Sequence, residues 1–460
     1  MLSPDQTHDV FARIQKLSSA DEVEAIIAGG RSALTRFANN TIHQNVAEEG
    51  CVISIRVALE GKTARATTNR LDDESLKRAV QSAEQIARVQ ERDPDLLPAP
   101  SPAEAGNESP VERHFGTTAA IKPEDRAAAV EQIVGVAKQH KQTAAGIYSS
   151  SETMEALLNS RGLARIHRQT SSEISITMLA EDSSGWQKAN SPNAANLNPK
   201  RLAEIAAEKA SQSARPREVP PGKSTVILEP AAVLDLLGFM FFDFGGTALL
   251  EQRSFLNNRV GTRLFGENIT IHDDAFHALQ SGATFDGEGV ARRRVTLVEN
   301  GVVRGLVFSR ATARKMQNSD LAPQLGKIAP TGHGFPLPNE IGDAPMNIVI
   351  QGGNGGAKPV DEMIKSTERG ILVTRLWYIR EVDPYEKILT GMTRDGTFLI
   401  ENGKLQGGVR NFRFNQSLID LLQNVEILSG SVRASGEESL DMVVPAMKVN
   451  KFNFTELTKF

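Results

Sequence analysis

Eight histidines and a single cysteine are the chain's whole supply of nitrogen and sulfur side chains suited to a hydrolytic metal. The histidines are His8, His43, His114, His140, His167, His272, His277 and His333. None falls in HExxH, in HxH, or in a helical i,i+4 pair that would aim two imidazoles at one ion. The tightest grouping is IHDDAFH, where His272 and His277 flank Asp273 and Asp274. A spacing of five on a loop is poor for a shared metal, and a solvated polar loop explains the same residues. His333 and Glu251 are the other raw material for an unconventional site, so the fallback metal set is His272, His277 and His333. No GxSxG occurs, and Cys51 sits inside the alternating run GCVISIRVA, the setting of a packed rather than a reactive thiol.

Two further stretches could recognise a ligand. QGGNGGAKP, residues 351–359, has the glycines of a phosphate loop but no following GK[ST] and no βαβ setting, so it reads as a glycine loop able to cover a cleft. TRLWYIR, residues 374–380, gathers Arg375, Trp377 and Tyr378, side-chain types that dominate interfaces. An amphipathic strand with one buried face accounts for it equally well. LLGFMFFDFGG, from Leu236 to Gly246, crowds four phenylalanines and a methionine into six residues of a chain only 5% aromatic.

These residues must be held by an ordinary globular chain. Its 460 residues suffice for two or three domains, its apolar and charged contents are 40% and 23%, and its formal net charge is −4. No basic block suggests nucleic acid. The run LLGFMFF is far short of the ~20 residues that span a bilayer. MLSPDQTHDVFARIQ lacks the basic and apolar regions of a secretory signal, so the expected location is the cytoplasm. One cysteine excludes an intrachain disulfide framework.

The pattern predicts a helix over 4–17, then alternating segments at 24–28, 32–37, 50–58 and 62–67, then a helix over 71–90 with Leu76, Ala79, Val80, Ala83 and Ile86 as its apolar stripe. The proline- and serine-rich residues 92–122 read as a linker. A second helix follows at 123–140, then AAGIYSSS, MEALLNS, ARIHRQT and EISITMLA as strands and a helix over 197–214. Asn159 follows Asn39 by 120 residues, Ile174-Ser175-Ile176 follows Ile53-Ser54-Ile55 by 121, and Leu197 and Leu202 follow Leu71 and Leu76 by 126. This drift predicts a duplicated strand-rich unit closed by a helix. RPREVPPG, residues 215–222, marks a boundary. Beyond it come the strand STVIL, a helix over 229–242, turns at Asn300-Gly301, Asp395-Gly396 and Asn402-Gly403, a short helix stopped by Gly370, a helix over 416–424, and DMVVPAMKV as a last strand. The expectation is an α+β fold: a duplicated antiparallel-sheet-plus-helix domain at 1–219 and a β-rich sheet or barrel domain at 220–460.

RFANNTIHQN (Arg36–Asn45), LEPAAVLDLLGF, FDGEGVARRRVTLVENGVVRG and GTFLIENGKL, in that order, resemble the TldD/PmbA family, once called modulators of DNA gyrase. The resemblance covers about residues 20–90 and 220–430. It implies a two-domain α+β fold that dimerises around a cavity. In that family one subunit, TldD, is a zinc metallopeptidase bearing HExxxH. The other, TldE or PmbA, lacks that motif and completes the dimer that trims unfolded peptides. Laid on this chain, HExxxH falls on Phe239, Met240 and Phe244, none of which is a ligand for hydrolytic zinc. The resemblance thus implies a TldE-type subunit with no cofactor of its own, zinc in a TldD-like partner or a homodimer in its place, and unfolded peptide as substrate. Arg36, Asn39, Asn40, Arg375, Trp377 and Tyr378 are the candidate substrate or interface contacts, with hairpin-turn or packing roles as the alternative. A stand-alone hydrolase and a non-enzymatic peptide scaffold are the competing readings. TRLWYIREVDPYEKILTGMTRDGTFLIENG departs from the C-terminal pattern of the best-known PmbA members and suggests a separate branch.

Overall fold

The computed structural model describes residues 1–353 and 359–458. Its first half is one six-stranded antiparallel sheet built from two copies of the same unit. The first copy is α1 (Pro4–Leu17), β1 (Glu22–Ala38), β2 (Thr41–Leu59), β3 (Lys62–Thr68) and α2 (Asp73–Val89). Two single-turn helices, α3 (Pro102–Ala105) and α4 (Gly116–Ala119), interrupt the linker, which the sequence presented as structureless. The second copy is α5 (Pro123–Gln139), β4 (Thr143–Asn159), β5 (Ala164–Leu179), β6 (Ser184–Ser191) and α6 (Pro199–Gln212). Each element starts 119–126 residues after its counterpart. The strand order β3-β2-β1-β4-β5-β6 puts the seam between copies at the centre, with β1 and β4 paired from Glu24↔Asn159 to Phe37↔Gly146.

The strand pairs expected at 24–28 with 32–37, and at AAGIYSSS with MEALLNS, are each one long strand. The glycines and serines that suggested breaks are needed where neighbouring strands crowd together. A Cβ on Gly30 would overlap the Glu152 carbonyl, and one on Gly146 the Ser175 carbonyl. Helices cover one face of the sheet. Val23, Ile27, Ile53, Ile55 and Val57 pack with α1 and α2, while Phe37, Tyr148, Ile174 and Ile176 pack with α5 and α6. On α2 the stripe closes with Ala87 rather than Ile86, which is 42% exposed.

The opposite face carries charge and meets the second half of the chain. Glu24 accepts from Arg65 (2.6 Å) and Arg56 (3.3 Å), Arg65 also donates to the Leu337 carbonyl, and Leu157 and Leu163 pack on Phe285.

The second half holds two sheets, not one. β7 (Gly222–Leu228) leads into α7 (Pro230–Leu237). The strands β8 (Ile271–Asp273), β9 (Val295–Glu299), β10 (Val302–Val303) and β11 (Ile348–Ile350) belong to a mixed sheet. They are followed by β12 (Arg369–Asp383), β13 (Ile388–Glu401), β14 (Lys404–Gly408), β15 (Phe412–Ser417), β16 (Val425–Leu428), β17 (Val432–Ala434), β18 (Met442–Val444) and β19 (Met447–Leu457). β17 and β18 complete the mixed sheet, and β18 runs parallel to β11. β12, β7, β19, β15 and β13 pair in that order, and β13 pairs back with β12, closing a five-stranded barrel in which β7 and β12 are parallel.

Several sequence expectations are corrected here. Asp395-Gly396 lies inside β13 as an irregularity of positive φ, not at a turn. The helix before β12 ends at Lys365, and Gly370 is already in the strand. DMVVPAMKV is two strands parted at Pro445, whose ring removes the ladder donor. The Asn300-Gly301 and Asn402-Gly403 turns are present, all four residues at positive φ. No helix among the described residues is long and apolar enough to cross a membrane.

Candidate functional site

The site begins at α7. Pro230 occupies its first turn, where a missing N–H costs nothing. The helix stops at Leu237 instead of running to residue 242, and Gly238–Phe244 winds as a tighter 3₁₀ segment. Close approaches at both ends account for this. A Cβ on Gly238 would overlap the Ser439 side chain, and one on Gly245 the Asp343 carbonyl. Asp235, fully buried on α7, accepts from the Glu437 and Glu438 N–H groups (both 3.1 Å) and fixes the 435–440 loop there. Burial pushes its carboxyl up to about 6 against those two hydrogen bonds.

The tighter winding decides where the aromatic cluster points. Met240, Phe241 and Phe244 are buried in the large core of the second half, with Phe244 edge-on to Phe255 at 6.1 Å, and Phe239 packs at its margin. Only Phe242 turns outward, 49% exposed. Asp243 is buried against Lys387 Nζ at 2.6 Å and accepts from Phe255 N–H. Burial pushes its carboxyl up, and the Lys387 ammonium pulls it back. The three positions laid against HExxxH thus pack in or against the core: the two phenylalanines have no ligand atom, and the Met240 thioether is a soft donor ill-suited to hydrolytic zinc and buried among apolar side chains.

Phe242 borders a cavity of about 950 Å³. Glu251, Glu288, Ser309, Lys315 and Asp343 contribute its polar wall, and Asp93 of the linker closes one side. Two loops supply the buried acids. In FDGEGV, Asp286 accepts from the N–H groups of Glu288, Val290 and Gly334 at 2.7–2.9 Å, and Glu288 accepts from Arg310 N–H at 3.1 Å. Burial raises the Glu288 carboxyl, the Asp286 carboxyl beside it raises it further, and the Arg310 contacts only partly offset this, leaving it at about 7. Asp343 accepts from Ser309 N–H (2.8 Å) and Thr247 N–H (3.1 Å), and burial still pushes it up. The cavity therefore has a wall carboxyl able to hold or release a proton near neutral pH. Sequence reasoning gave these acids no role, although the alternation of acid and glycine in FDGEGV is a visible sign of a tight loop built around carboxylates.

The fallback histidines do not converge. His272 lies on β8, a strand rather than the expected loop, and its side chain faces away from that of Asp273 by strand alternation. His277 follows in the next turn and accepts from Leu279 N–H. His333 Nε2 stands 2.8 Å from Asp273 Oδ1, off the hydrogen-bond direction, and both are buried. Burial raises the Asp273 carboxyl, but His333, Arg292 and the Asn347 N–H outweigh it and hold it at about 2. This pair ties the 331–347 loop to β8. Among the described residues no three His, Cys, Asp or Glu side chains are grouped to hold a metal ion. Zinc does not fit the residues present. Residues 354–358 of the glycine loop lie outside the described residues.

The six nominated contact residues divide between two places. Asn39 and Asn40 form the β1–β2 turn at φ 50° and 60°, and the Asn40 amide accepts from Ala144 N–H (2.7 Å) and donates to the Gln142 carbonyl. Arg36 is exposed beside Gln44. Arg375 is buried between the Trp186 and Trp377 rings and bonded to Asp395, which also accepts from Ser184 Oγ. It therefore joins the first sheet to the barrel. Tyr378, 53% exposed, sits at φ 56° in an irregularity of β12, with Arg380 over its ring.

Comparison with known proteins now gives the class. Residues 221–456 match the PmbA/TldA metallopeptidase C-terminal domain, 23–87 match its domain 1 and 116–214 its central domain. The chain belongs to the PmbA/TldD family. Metalloprotease PmbA of Escherichia coli O157:H7 is 22% identical over 86% of this chain and 85% of its own length. A metalloprotease of Methanothermobacter thermautotrophicus is 25% identical over 62% of each chain. An uncharacterized protein of Methanocaldococcus jannaschii is 29% identical, but the match spans only 38% of its length. Two solved structures share the fold across 98% of this chain at 20% identity: TldE from Thermococcus kodakarensis, with a TM-score of 0.84, and a protein from Thermotoga maritima described as a candidate modulator of a DNA gyrase, with 0.85.

Proposed function

We propose that the chain is a TldE/PmbA-type subunit of a TldD/TldE-type metallopeptidase, acting in the cytoplasm in peptide maturation and proteolysis. Its part is to bind unfolded peptide and to complete the enclosure of a partner bearing HExxxH and zinc. The observation that carries this is that Met240 and Phe244 are buried in the apolar core where that motif falls, with Phe239 packed against its margin. A chain retaining hydrolysis would need ligands at that point, and the fallback histidines do not meet. The division at residues 219/220 gives each half a share of the work. The N-terminal sheet offers strand edges, and the β-rich half keeps the family's peptidase scaffold.

The test is zinc content of the purified chain by elemental mass spectrometry after dialysis against a mild chelator. The expected value is below about 0.1 equivalent, because structural or catalytic zinc resists such treatment. Close to one zinc per chain overturns the reading.

A further inference from the structure

β2 is paired on one side only for most of its length. β1 pairs with it from Thr41 to Ala58, but β3 reaches only Ile53–Leu59. From Thr41 to Val52 its outer edge meets no strand among the described residues, a template of about 40 Å. Half the N–H and C=O groups there point away from β1. The ladder has one irregularity, at His43, and runs unbroken from Gln44 to Val52. No proline, lysine or arginine guards it, although such residues commonly protect edges.

The duplication supplies an internal control. β5 is the counterpart of β2, and β6 likewise pairs only its second part, Ser172–Leu179. There an irregular, extended piece of the linker bonds to the bare part at Thr170. Thr170 N–H donates to the Arg113 carbonyl (2.9 Å), and Phe115 N–H donates to Thr170 Oγ1. Among the described residues no linker backbone does this for β2, which the rest of the chain meets there only through side chains, Arg126 on Asn45 and the Met1 amino group on Glu49.

A cavity of about 540 Å³ lies beside the bare edge, between the sheet and the start of α5. Ala47, Ala119 and Ile121 give it apolar walls, Arg31, Lys122 and Arg126 also line it, and Glu48 and Glu49 stand at the strand. Both glutamates are exposed, and Glu49 also meets the Met1 amino group.

We infer that the Thr41–Val52 edge of β2 is a docking strand for an extended polypeptide rich in basic and apolar residues. Main-chain hydrogen bonds supply sequence-tolerant affinity, the cavity takes an apolar side chain, and Glu48 and Glu49 favour basic neighbours. A second copy of this chain would bring the same glutamates to the seam. This deepens the peptide-binding part of the proposed function.

The probe is a fluorescein-labelled, end-blocked ten-residue peptide of alternating lysine and valine. Hydrogen exchange of the intact chain, with and without it, should show new protection at alternate amides within 41–52. Glu48→Lys/Glu49→Lys, both at exposed positions, should raise the Kd by about tenfold or more in fluorescence anisotropy. No added protection overturns the inference. So does protection already present in the free chain and lost on dilution as a dimer dissociates, since a second copy then holds the edge. Zinc content reads separately: a zinc-free chain without protection leaves the subunit reading intact, and a zinc-loaded chain with protection removes that reading and keeps the docking strand.

Discussion

Glu288 has its charge state set almost wholly by its surroundings. Its carboxyl stands at about 7, above the ordinary 4.5, because burial and Asp286 both disfavour the anion. The folded chain therefore binds more protons than the unfolded chain between those values. The associated stability is present at low pH and is lost as pH rises through about 7. Glu288→Gln keeps the acceptor for Arg310 N–H and removes the titration. Its thermal midpoint should fall less than that of the parent between pH 5 and pH 8, with a relative gain of roughly 1–3 kcal/mol at the upper end. An unchanged profile would show that the proton sits elsewhere in the Asp286–Glu288 pair. The sequence around FDGEGV shows Asp286 beside Glu288 but not the shift, because its largest cause is burial, which only the folded chain supplies.

At the scale of an element, the segment after α7 shows how contact overrides pattern. LLGFMFF has the composition of a continued helix, yet it tightens at Gly238, where the backbone presses on Ser439. Gly238→Ala should cost about 1–3 kcal/mol in a denaturant titration, as overpacking does, and Ser439→Gly in the same chain should recover most of it. No recovery would put the strain in the 3₁₀ segment itself. The same contrast governs what was legible beforehand. α1 and α2 follow from capping and periodicity, which are local. The Asn300-Gly301 and Asn402-Gly403 turns follow from dipeptides that tolerate positive φ. The long β1 and β4 were not legible as single strands, since their Gly and Ser positions look like breaks until neighbouring strands are in place. A β-rich sheet or barrel was legible for the second half, but its strand pairing was not, because β12 returning to β13 while lying parallel to β7 is a long-range choice. Of the cavity's acids, Glu251 was named from the sequence, while Glu288 and Asp343 were not, because distant segments bury them.

At the scale of the whole molecule, the first sheet and the barrel are joined by buried charge as well as by apolar contact. Arg375 holds Asp395 between two tryptophans, one from each half, while Ser184 of β6 binds the same carboxylate. Arg375→Ala should destabilise the chain by roughly 2–4 kcal/mol, because it leaves the buried Asp395 carboxylate with only Ser184 and the more exposed Arg394. Urea unfolding would show this as a lower midpoint or as separate transitions of the two halves. A shift below about 1 kcal/mol, the range of an exposed ion pair, would return Arg375 to the candidates for ligand contact.

The central seam between β1 and β4 makes the two repeats a dimer within one chain. Their contact has the antiparallel form of a two-fold interface, yet it is closed by the linker instead of by collision. Tethering of this kind replaces protein concentration by an effective concentration in the millimolar range for a short flexible connection. The six-stranded sheet is therefore indifferent to dilution. The entropy of closing the loop grows only by about 0.6 kcal/mol for each doubling of its length. The proline-rich stretch between the repeats is accordingly the part of the chain in which insertions disturb the seam least, wherever they avoid the residues that bond to β5.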